Sequence, residues 1–317
     1  MEFRTQIPLN KQTHNQIDYK STILMFGSCF SENIGDKLSY FKFPVIVNPF
    51  GILFHPKAVK NLILNAINKK VYTENDIFFH NERWHSFDTH SKLSNPSKEN
   101  LLASLNSNIK LTHDYISTST HIIITLGTAW MYRFIETNTI VANCHKVSQK
   151  KFLKEILSTD EISECLASTI ALIRNINKKA SVILTVSPVR HLKDGFVENQ
   201  QSKSHLIAAI HNVIEKRNNV SYFPSYEIMM DELRDYRFYA EDMLHPNQIA
   251  IDYIWERFSK TWISDIAKET MMEVENIQKG LAHKPFNEHS EQHQLFLKNL
   301  EKKIISLQKN IPSLTFG

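Results

Sequence analysis

The stretch Ile23-Leu24-Met25-Phe26-Gly27-Ser28-Cys29-Phe30-Ser31-Glu32-Asn33 decides the fold of this 317-residue chain. Apolar residues run up to Gly27, a hydroxyl and a thiol follow, and a pattern of helical period begins near Ser31. This order predicts a buried strand, a tight turn and a helix. Ser28 would then lie between strand and helix, close to backbone N–H groups and to the positive end of the helix dipole. A serine nucleophile at this place could have its developing oxyanion stabilised by those donors.

Five short apolar segments, each followed by a polar or glycine-containing motif, extend this pattern along the chain. They cover residues 22–26, 44–47, 121–126, 181–186 and 220–223. Helical periodicity separates them at 31–40, 56–68, 155–176 and 202–215. Strands that alternate with helices predict an α/β fold with a doubly wound, mostly parallel five-stranded sheet. Ligands bind such sheets at the carboxyl ends of the strands, so the motifs that follow the strands are the candidates for a site.

Two stretches interrupt the alternation with hairpin-like patterns, one with its turn near Asn81 and one with its turn at residues 136–138. We interpret both as insertions that could wall or cover the site. Beyond residue 260 the periodicity is helical over 262–281 and 290–308. It predicts a helical extension, residues 261–317, on a main domain of residues 1–260. The apolar stripes of these helices would pack on that domain or form the contact of a homodimer.

The composition is that of an ordinary soluble globular protein, with 42% hydrophobic and 22% charged residues. A net charge of +4 without an arginine-rich stripe argues against nucleic acid as a partner. No segment of the amino terminus is apolar enough for a signal peptide or a membrane span, so we expect a cytoplasmic protein without a membrane partner. Three cysteines, an odd number without a CxxC motif, agree with that location. The histidines include no HExxH motif, and we expect no metal or other cofactor.

A candidate base lies in the stretch Asp242-Met243-Leu244-His245-Pro246. Pro246 keeps His245 out of the helix that follows. Asp242, three residues earlier, could accept the Nδ1–H of His245 and leave Nε2 free to take a proton from Ser28. In the alternative interpretation, the carboxylate and the imidazole only satisfy backbone groups at the start of that helix. Together with a serine at the end of the first strand, the pair favours catalysis.

Cys29 is a rival nucleophile, because a helix amino terminus lowers the pKa of a thiol. Neighbouring side chains at a turn point in different directions, and Cys29 would more naturally pack inward with Phe30. We therefore rank its thiol below the hydroxyl of Ser28.

Candidate substrate contacts follow the fourth predicted strand, where Arg190 and His191 would reach the same rim of the sheet. The planar guanidinium of Arg190 suits an anionic or polyhydroxylated substrate, although a salt bridge to Glu241 or Asp242 is an equal alternative. Further candidates lie on the second insertion, where a solvated loop or simple packing is the alternative: Trp130, Asn143 and His145.

Phe26-Gly27-Ser28-Cys29-Phe30-Ser31 resembles the signature of the GSCFA family, with serine in place of its last alanine. Four further blocks are similar to that family: Asn48-Pro49-Phe50-Gly51, Leu126-Gly127-Thr128-Ala129-Trp130, Asn143-Cys144-His145-Lys146 and Ser187-Pro188-Val189-Arg190-His191. The resemblance spans roughly residues 21–258. The glycine-serine turn and the Asp-x-x-His-Pro motif are also similar to the SGNH (GDSL-like) hydrolase superfamily, which has a flavodoxin-like sheet.

This resemblance implies that Ser28 is the nucleophile, His245 the general base and Asp242 the acid that orients the base. The superfamily draws its oxyanion donors from three places. They are the backbone N–H of the nucleophile, a glycine after the second strand, and an asparagine two residues past a glycine after the third.

Ser28 and Gly51 match the first two of these donors, but Ala129 occupies the place of the asparagine. Either the oxyanion hole has only two donors or another group replaces the missing amide. The candidates for that replacement are the Thr128 hydroxyl, Asn48 and Asn143.

The expected function is therefore that of a serine esterase without a cofactor. It would remove an O-acyl group, such as acetyl, from a carbohydrate or related small-molecule ester through an acyl-enzyme. An O-acyltransferase with the same triad and a non-catalytic ligand-binding protein on the same scaffold are the alternatives, and Ala129 favours the second. A protein-interaction role centred on the carboxyl-terminal helices is a third.

Overall fold

The computed structural model describes residues 5–214 and 219–316, and a five-stranded parallel sheet forms its centre. The strands, numbered in chain order, are β1 (Ile23–Gly27), β2 (Val45–Val47), β5 (His121–Leu126), β9 (Ser181–Val186) and β10 (Val220–Phe223). Their spatial order is β2-β1-β5-β9-β10, and every neighbouring pair is parallel. This is the doubly wound order in which the chain reverses direction beside β1, so the α/β prediction is confirmed.

The strand residues are apolar because helices cover both faces of the sheet. Every side chain of β1, β5 and β9 is buried. Alternate residues face opposite layers: Leu24 and Phe26 lie in one apolar core, whereas Ile23 and Met25 lie in the other. Because all five strands are parallel, their carboxyl ends lie at one common edge, where the loops that follow them meet.

Each face of the sheet carries its own layer of helices. The first layer consists of α2 (Pro56–Ile67), α3 (Lys98–Thr118), α4 (Thr159–Ile176) and α5 (Phe196–Val213). The second consists of α1 (Cys29–Tyr40), α7 (Gln248–Trp262), α8 (Asp265–Leu281) and α9 (Glu291–Asn310). A short helix α6 (Ser225–Glu227) follows β10 and continues into a π-helical turn over Ile228–Glu232.

The two insertions are antiparallel. Strands β3 (Phe78–His80) and β4 (Arg83–His85) form the first hairpin, and positive φ angles at Asn81 and Glu82 (46° and 60°) make its turn of type I′. The second insertion has three strands: β6 (Trp130–Phe134), β7 (Thr139–Val141) and β8 (Phe152–Ile156). The prediction that residues 155–158 begin a helix is wrong, because Ser158 and Glu161 form a capping box that starts α4 at Thr159.

The carboxyl-terminal helices share the apolar core of the α1 layer. Ile277 of α8 and Leu300 of α9 belong to the same buried cluster as Ile34 of α1. The helix predicted over 262–281 is α8, which ends at Leu281 as predicted but begins at Asp265, since α7 extends to Trp262 and Ser264 caps α8. Within the described residues, no helix is long and apolar enough to cross a membrane.

Candidate active site

The turn after β1 holds Ser28 at the carboxyl ends of β1 and β5. Gly27 has a φ of 138°, and a Cβ at this position would lie 2.1 Å from the carbonyl oxygen of Thr125, so only glycine lets the two strands approach this closely. Ser28 is the N-cap of α1, and its Oγ accepts a hydrogen bond from the Phe30 amide at 3.2 Å. The Ser28 N–H donates to the Thr125 oxygen at 3.1 Å. These contacts leave only 1% of Ser28 exposed.

The loop before α7 pairs Asp242 with His245. Asp242 Oδ2 lies 2.6 Å from His245 Nδ1, and because a carboxylate only accepts, Nδ1 carries the proton. Asp242 Oδ1 accepts the backbone N–H groups of His245 (3.0 Å) and Leu244 (2.9 Å). Those two backbone bonds, with the imidazole bond, lower the pKa of Asp242 to about 2. The carboxylate of Asp242 thus caps its own loop and also orients the imidazole. The contacts expected from the capping interpretation and those expected from the catalytic interpretation are both present.

The His245 side chain is presented towards solvent, with 47% of it exposed, and Nε2 makes no hydrogen bond to any residue of 5–214 or 219–316. The loop is joined to the end of β9, because the Arg190 N–H donates to the Leu244 oxygen at 3.2 Å. Ser28 Oγ and His245 Nε2 do not hydrogen-bond to each other, so the turn after β1 and this loop reach the same edge of the sheet without being joined.

His191 lies at the same edge, beside Gly127 at the end of β5. Its backbone N–H donates to Asn199 Oδ1 at 2.8 Å, and its ring packs 5.7 Å from the ring of Phe54. Nε2 would lie 3.1 Å from a Cβ at Gly127, and it is buried without a hydrogen-bond partner. Burial, with smaller effects from the charges of Lys203 and His245, lowers the pKa of His191 to about 3.

Lys203 is a component of the edge that the sequence analysis missed. It is completely buried, and its Nζ donates to the carbonyl oxygens of Gly127 (2.7 Å) and Ser187 (2.8 Å), which end β5 and β9. Burial lowers its pKa to about 7. A signal existed, because Lys203 precedes Leu206 and Ile210 by three and seven residues and therefore lies on the apolar stripe of α5.

The predicted backbone oxyanion donors are used within the protein. The N–H of Ser28 is bound by Thr125, and the N–H of Gly51 donates to the Asn48 oxygen at 2.7 Å. The Thr128 hydroxyl lies 2.9 Å from Ser202 Oγ and accepts from the Trp130 N–H at 3.0 Å.

Asn48 differs from the other predicted donors. Its Oδ1 accepts the Gly27 N–H at 2.9 Å, whereas its Nδ2 is buried and has no hydrogen-bond partner within residues 5–214 and 219–316. The side-chain amide of Asn48 therefore has an unused N–H close to Gly27, the residue before Ser28.

Arg190 carries no ion pair to any described residue, so the expected alternative of a salt bridge to Glu241 or Asp242 is wrong. Its guanidinium lies 5.4 Å from the Phe196 ring centroid. A planar cation without a carboxylate partner therefore stands beside the His245 loop, in a position to meet a polar or anionic ligand.

Asn143 and His145 lie in a packed network between the two insertions rather than in a solvated loop. His145 is buried, and its Nε2 lies 2.7 Å from the Ser86 oxygen and its Nδ1 3.2 Å from His85 Nδ1. Asn143 Oδ1 accepts the His145 N–H at 2.8 Å. Burial lowers the pKa of His145 to about 4. These contacts give both residues a structural role in joining the insertions.

The insertions contact the rim of the edge on two sides. Lys92, after the first hairpin, pairs with Glu32 in the first turn of α1 at 3.0 Å. Trp130, at the start of the second insertion, donates from Nε1 to the Glu198 oxygen of α5 at 3.3 Å. These contacts fix the two insertions to α1 and α5, and whether the insertions cover the site stays a prediction.

The exposure of Cys29 is the reverse of what we expected. Cys29 is partly exposed as the first residue of α1, whereas Ser28 is buried. Burial of the sulfur and the nearby charge of Glu32 raise the pKa of Cys29, so this helix start does not hold a thiolate. Within the described residues, no three His, Cys, Asp or Glu side chains are arranged to hold a metal ion.

Two sequence comparisons cover most of the chain. The sequence model described as GSCFA family matches residues 22–258, and the one described as GSCFA domain protein, C-terminal domain matches residues 274–317. None of the curated proteins compared with the chain matches it.

Proposed function

The chain belongs to the GSCFA family, and from this premise and the geometry of Ser28, Asp242 and His245 we propose that it is a serine hydrolase of the SGNH type. It removes an O-acyl group, such as acetyl, from a carbohydrate or related small-molecule ester. The observation that carries the proposal is the 2.6 Å contact between Asp242 and His245, whose side chain is half exposed and whose Nε2 has no hydrogen bond to any described residue, on a loop at the edge where Ser28 follows β1. A purely structural cap has no need of a free, solvent-facing imidazole nitrogen.

The chemistry follows from the hydrogen bonds. Asp242 fixes the proton of His245 on Nδ1, so Nε2 is the basic nitrogen. Because Ser28 Oγ accepts from Phe30, its own proton remains free to be donated to Nε2 when a substrate draws the two together. Attack forms the bond from Oγ to the acyl carbon, and the imidazolium then protonates the departing alcohol. Water, activated in the same way, releases the acid and restores Ser28.

The same residues would serve acyl transfer, with a sugar hydroxyl in place of water. A non-catalytic ligand-binding protein is the second candidate function, and specific observations favour it. Ser28 is 1% exposed, its N–H is bound to Thr125, and Ala129 stands where the superfamily has a donor.

Labelling with a fluorophosphonate probe tests the proposal. We expect the probe to modify Ser28, as read by mass spectrometry, and labelling to vanish in His245→Ala and persist in Cys29→Ala. His289→Ala, which removes an exposed histidine of the carboxyl-terminal region, is the matched control and should label normally. Absence of labelling in protein that shows a cooperative thermal transition would reject the hydrolase and favour the binding protein. Acetyl-ester hydrolysis with and without a sugar acceptor would then separate hydrolase from transferase.

A further inference from the structure

Two of the buried polar atoms that lack a hydrogen-bond partner lie at the candidate active site. They are Asn48 Nδ2, just after β2, and His191 Nε2, five residues after β9. Buried polar groups are nearly always paired, and an unpaired one costs about 1–3 kcal/mol. Asn48 is hydrogen-bonded through Oδ1 to Gly27 at the end of β1, and His191 Nε2 lies beside Gly127 at the end of the neighbouring strand β5. Such a pair of unused groups is what a site for a ligand oxygen requires.

The absence of a side chain at Gly127 leaves room for the His191 ring. A Cβ at Gly127 would lie 3.1 Å from His191 Nε2 and 2.8 Å from Phe54 Cβ, so a side chain there would displace the ring. Gly127 follows Thr125 by two residues, and Thr125 binds the Ser28 N–H. The imidazole edge therefore lies against the end of β5, the strand whose Thr125 binds the Ser28 N–H.

The charge state of His191 suits a donor better than a base. Burial lowers its pKa to about 3, and the neighbouring Lys203 acts in the same direction. At neutral pH the ring is uncharged and a weak proton acceptor. A neutral imidazole with its proton on Nε2 still donates one hydrogen bond.

We propose that His191 supplies the oxyanion donor that is missing at Ala129, with the Asn48 side-chain amide as a second donor. This inference rests on the proposed hydrolase function. As Ser28 Oγ bonds to the acyl carbon, the carbonyl π electrons move to the oxygen, and the two N–H groups bind that oxygen. When the intermediate collapses, the electron pair returns, the C–O bond to the alcohol breaks, and the proton held by His245 passes to the alcohol. No further reactant is needed.

The variants His191→Leu and His191→Gln test this role on 4-nitrophenyl acetate. Loss of one oxyanion donor typically lowers kcat by about 10²–10³, so we expect His191→Leu to lose that much with KM changed less than about threefold. The glutamine amide can reach the place of Nε2, and we expect it to recover at least about tenfold of the loss. The thermal midpoint of His191→Leu should equal or exceed that of the wild type, because an unpaired buried polar atom is removed.

His121→Leu is the matched control. His121 is also a buried histidine with a lowered pKa, but it lies at the opposite end of β5, and its Nε2 is paired with the Asn15 oxygen at 2.7 Å. This variant should lose stability and keep kcat. A lower thermal midpoint in His191→Leu, or an unchanged kcat, would overturn the donor role while leaving the hydrolase intact. A wild-type protein without esterase activity or Ser28 labelling would instead overturn both proposals.

Discussion

Alanine at position 27 tests whether the turn after β1 depends on glycine. The added Cβ would lie 2.1 Å from the Thr125 carbonyl oxygen and 2.8 Å from its carbon, and the φ of 138° is one that side chains rarely adopt. Both contacts are to the backbone of the paired strand, so no change of rotamer relieves them. Strands β1 and β5 must separate where Gly27 pairs with Thr125.

The expected loss of stability has two parts. Holding a residue with a side chain in a rarely populated backbone region costs about 1–3 kcal/mol. Forcing an extra carbon into a packed site costs a further 1–3 kcal/mol or so. Their sum, about 2–6 kcal/mol, is a large share of the roughly 5–15 kcal/mol by which a folded protein is stable. We expect Gly27→Ala to lower the thermal midpoint by roughly 3–9 °C, since the unfolding entropy grows with the length of this 317-residue chain.

Circular dichroism melting of Gly27→Ala beside Gly280→Ala measures the effect. A Cβ at Gly280 would lie 2.8 Å from Leu300 Cδ1, the end of a flexible side chain, and alanine is the better helix former in α8. Gly280→Ala should therefore stay within about 1 kcal/mol of the wild type. Equal melting temperatures for the two variants would refute the argument that backbone contact at Thr125 requires glycine. A destabilised Gly27→Ala that still labels Ser28 normally would show that the turn can shift without moving the hydroxyl.

Three further predictions concern charged groups at the same edge. The folded pKa of Lys203, about 7, lies below its ordinary value, so the unfolded chain binds the extra proton above pH 7 and stability rises with pH. Urea titrations at pH 7 and 9.5 should show the free energy of unfolding of the wild type rising by up to about 1.4 kcal/mol per pH unit relative to that of Lys203→Met. The same pH dependence of unfolding free energy in both proteins would contradict this. Asp242→Asn should lower kcat by about 10⁴ through the wrong imidazole tautomer, with a nearly unchanged melting temperature because both side chains are half exposed. Arg190→Gln should raise KM for a carboxylate-bearing aryl ester about tenfold or more and leave the neutral ester unaffected, as steady-state kinetics would measure.

The sheet could be predicted from the sequence because its strands are short apolar runs that need cover on both faces. The predicted segments 121–126, 181–186 and 220–223 match β5, β9 and β10 to the residue. The longest helix, α3, was missed because its buried residues form a narrow stripe in a polar sequence: Leu101, Leu105, Ile109, Thr112 and Ile116. A stripe of this width gives a weak periodic signal, although packing on α2 and α4 buries it fully.

In the candidate site, contacts between residues close in the chain could be predicted, whereas contacts between distant segments could not. The Asp242–His245 pair could be predicted because three residues of chain fix its geometry. The fit of His191 over Gly127 and the bonds from Lys203 join segments brought together only by the crossovers of the sheet. No spacing in the sequence encodes such contacts, and the resemblance to a family motif covered only the residues that the motif names.

The charges at this edge support the proposed choice of Ser28 over the adjacent Cys29 as the nucleophile. A thiol attacks in its thiolate form, which must be present before the reaction begins. Burial and the charge of Glu32 raise the pKa of Cys29 in spite of the helix start, and this disfavours the thiolate. A serine needs no standing anion, because negative charge develops only during attack and moves at once to the carbonyl oxygen. The donors that we propose for that oxygen are uncharged, and neither Asn48 Nδ2 nor His191 Nε2 has a hydrogen-bond partner among the described residues. This edge thus disfavours a permanent anion and offers unused donors to a transient one, which supports the proposed acyl transfer through Ser28.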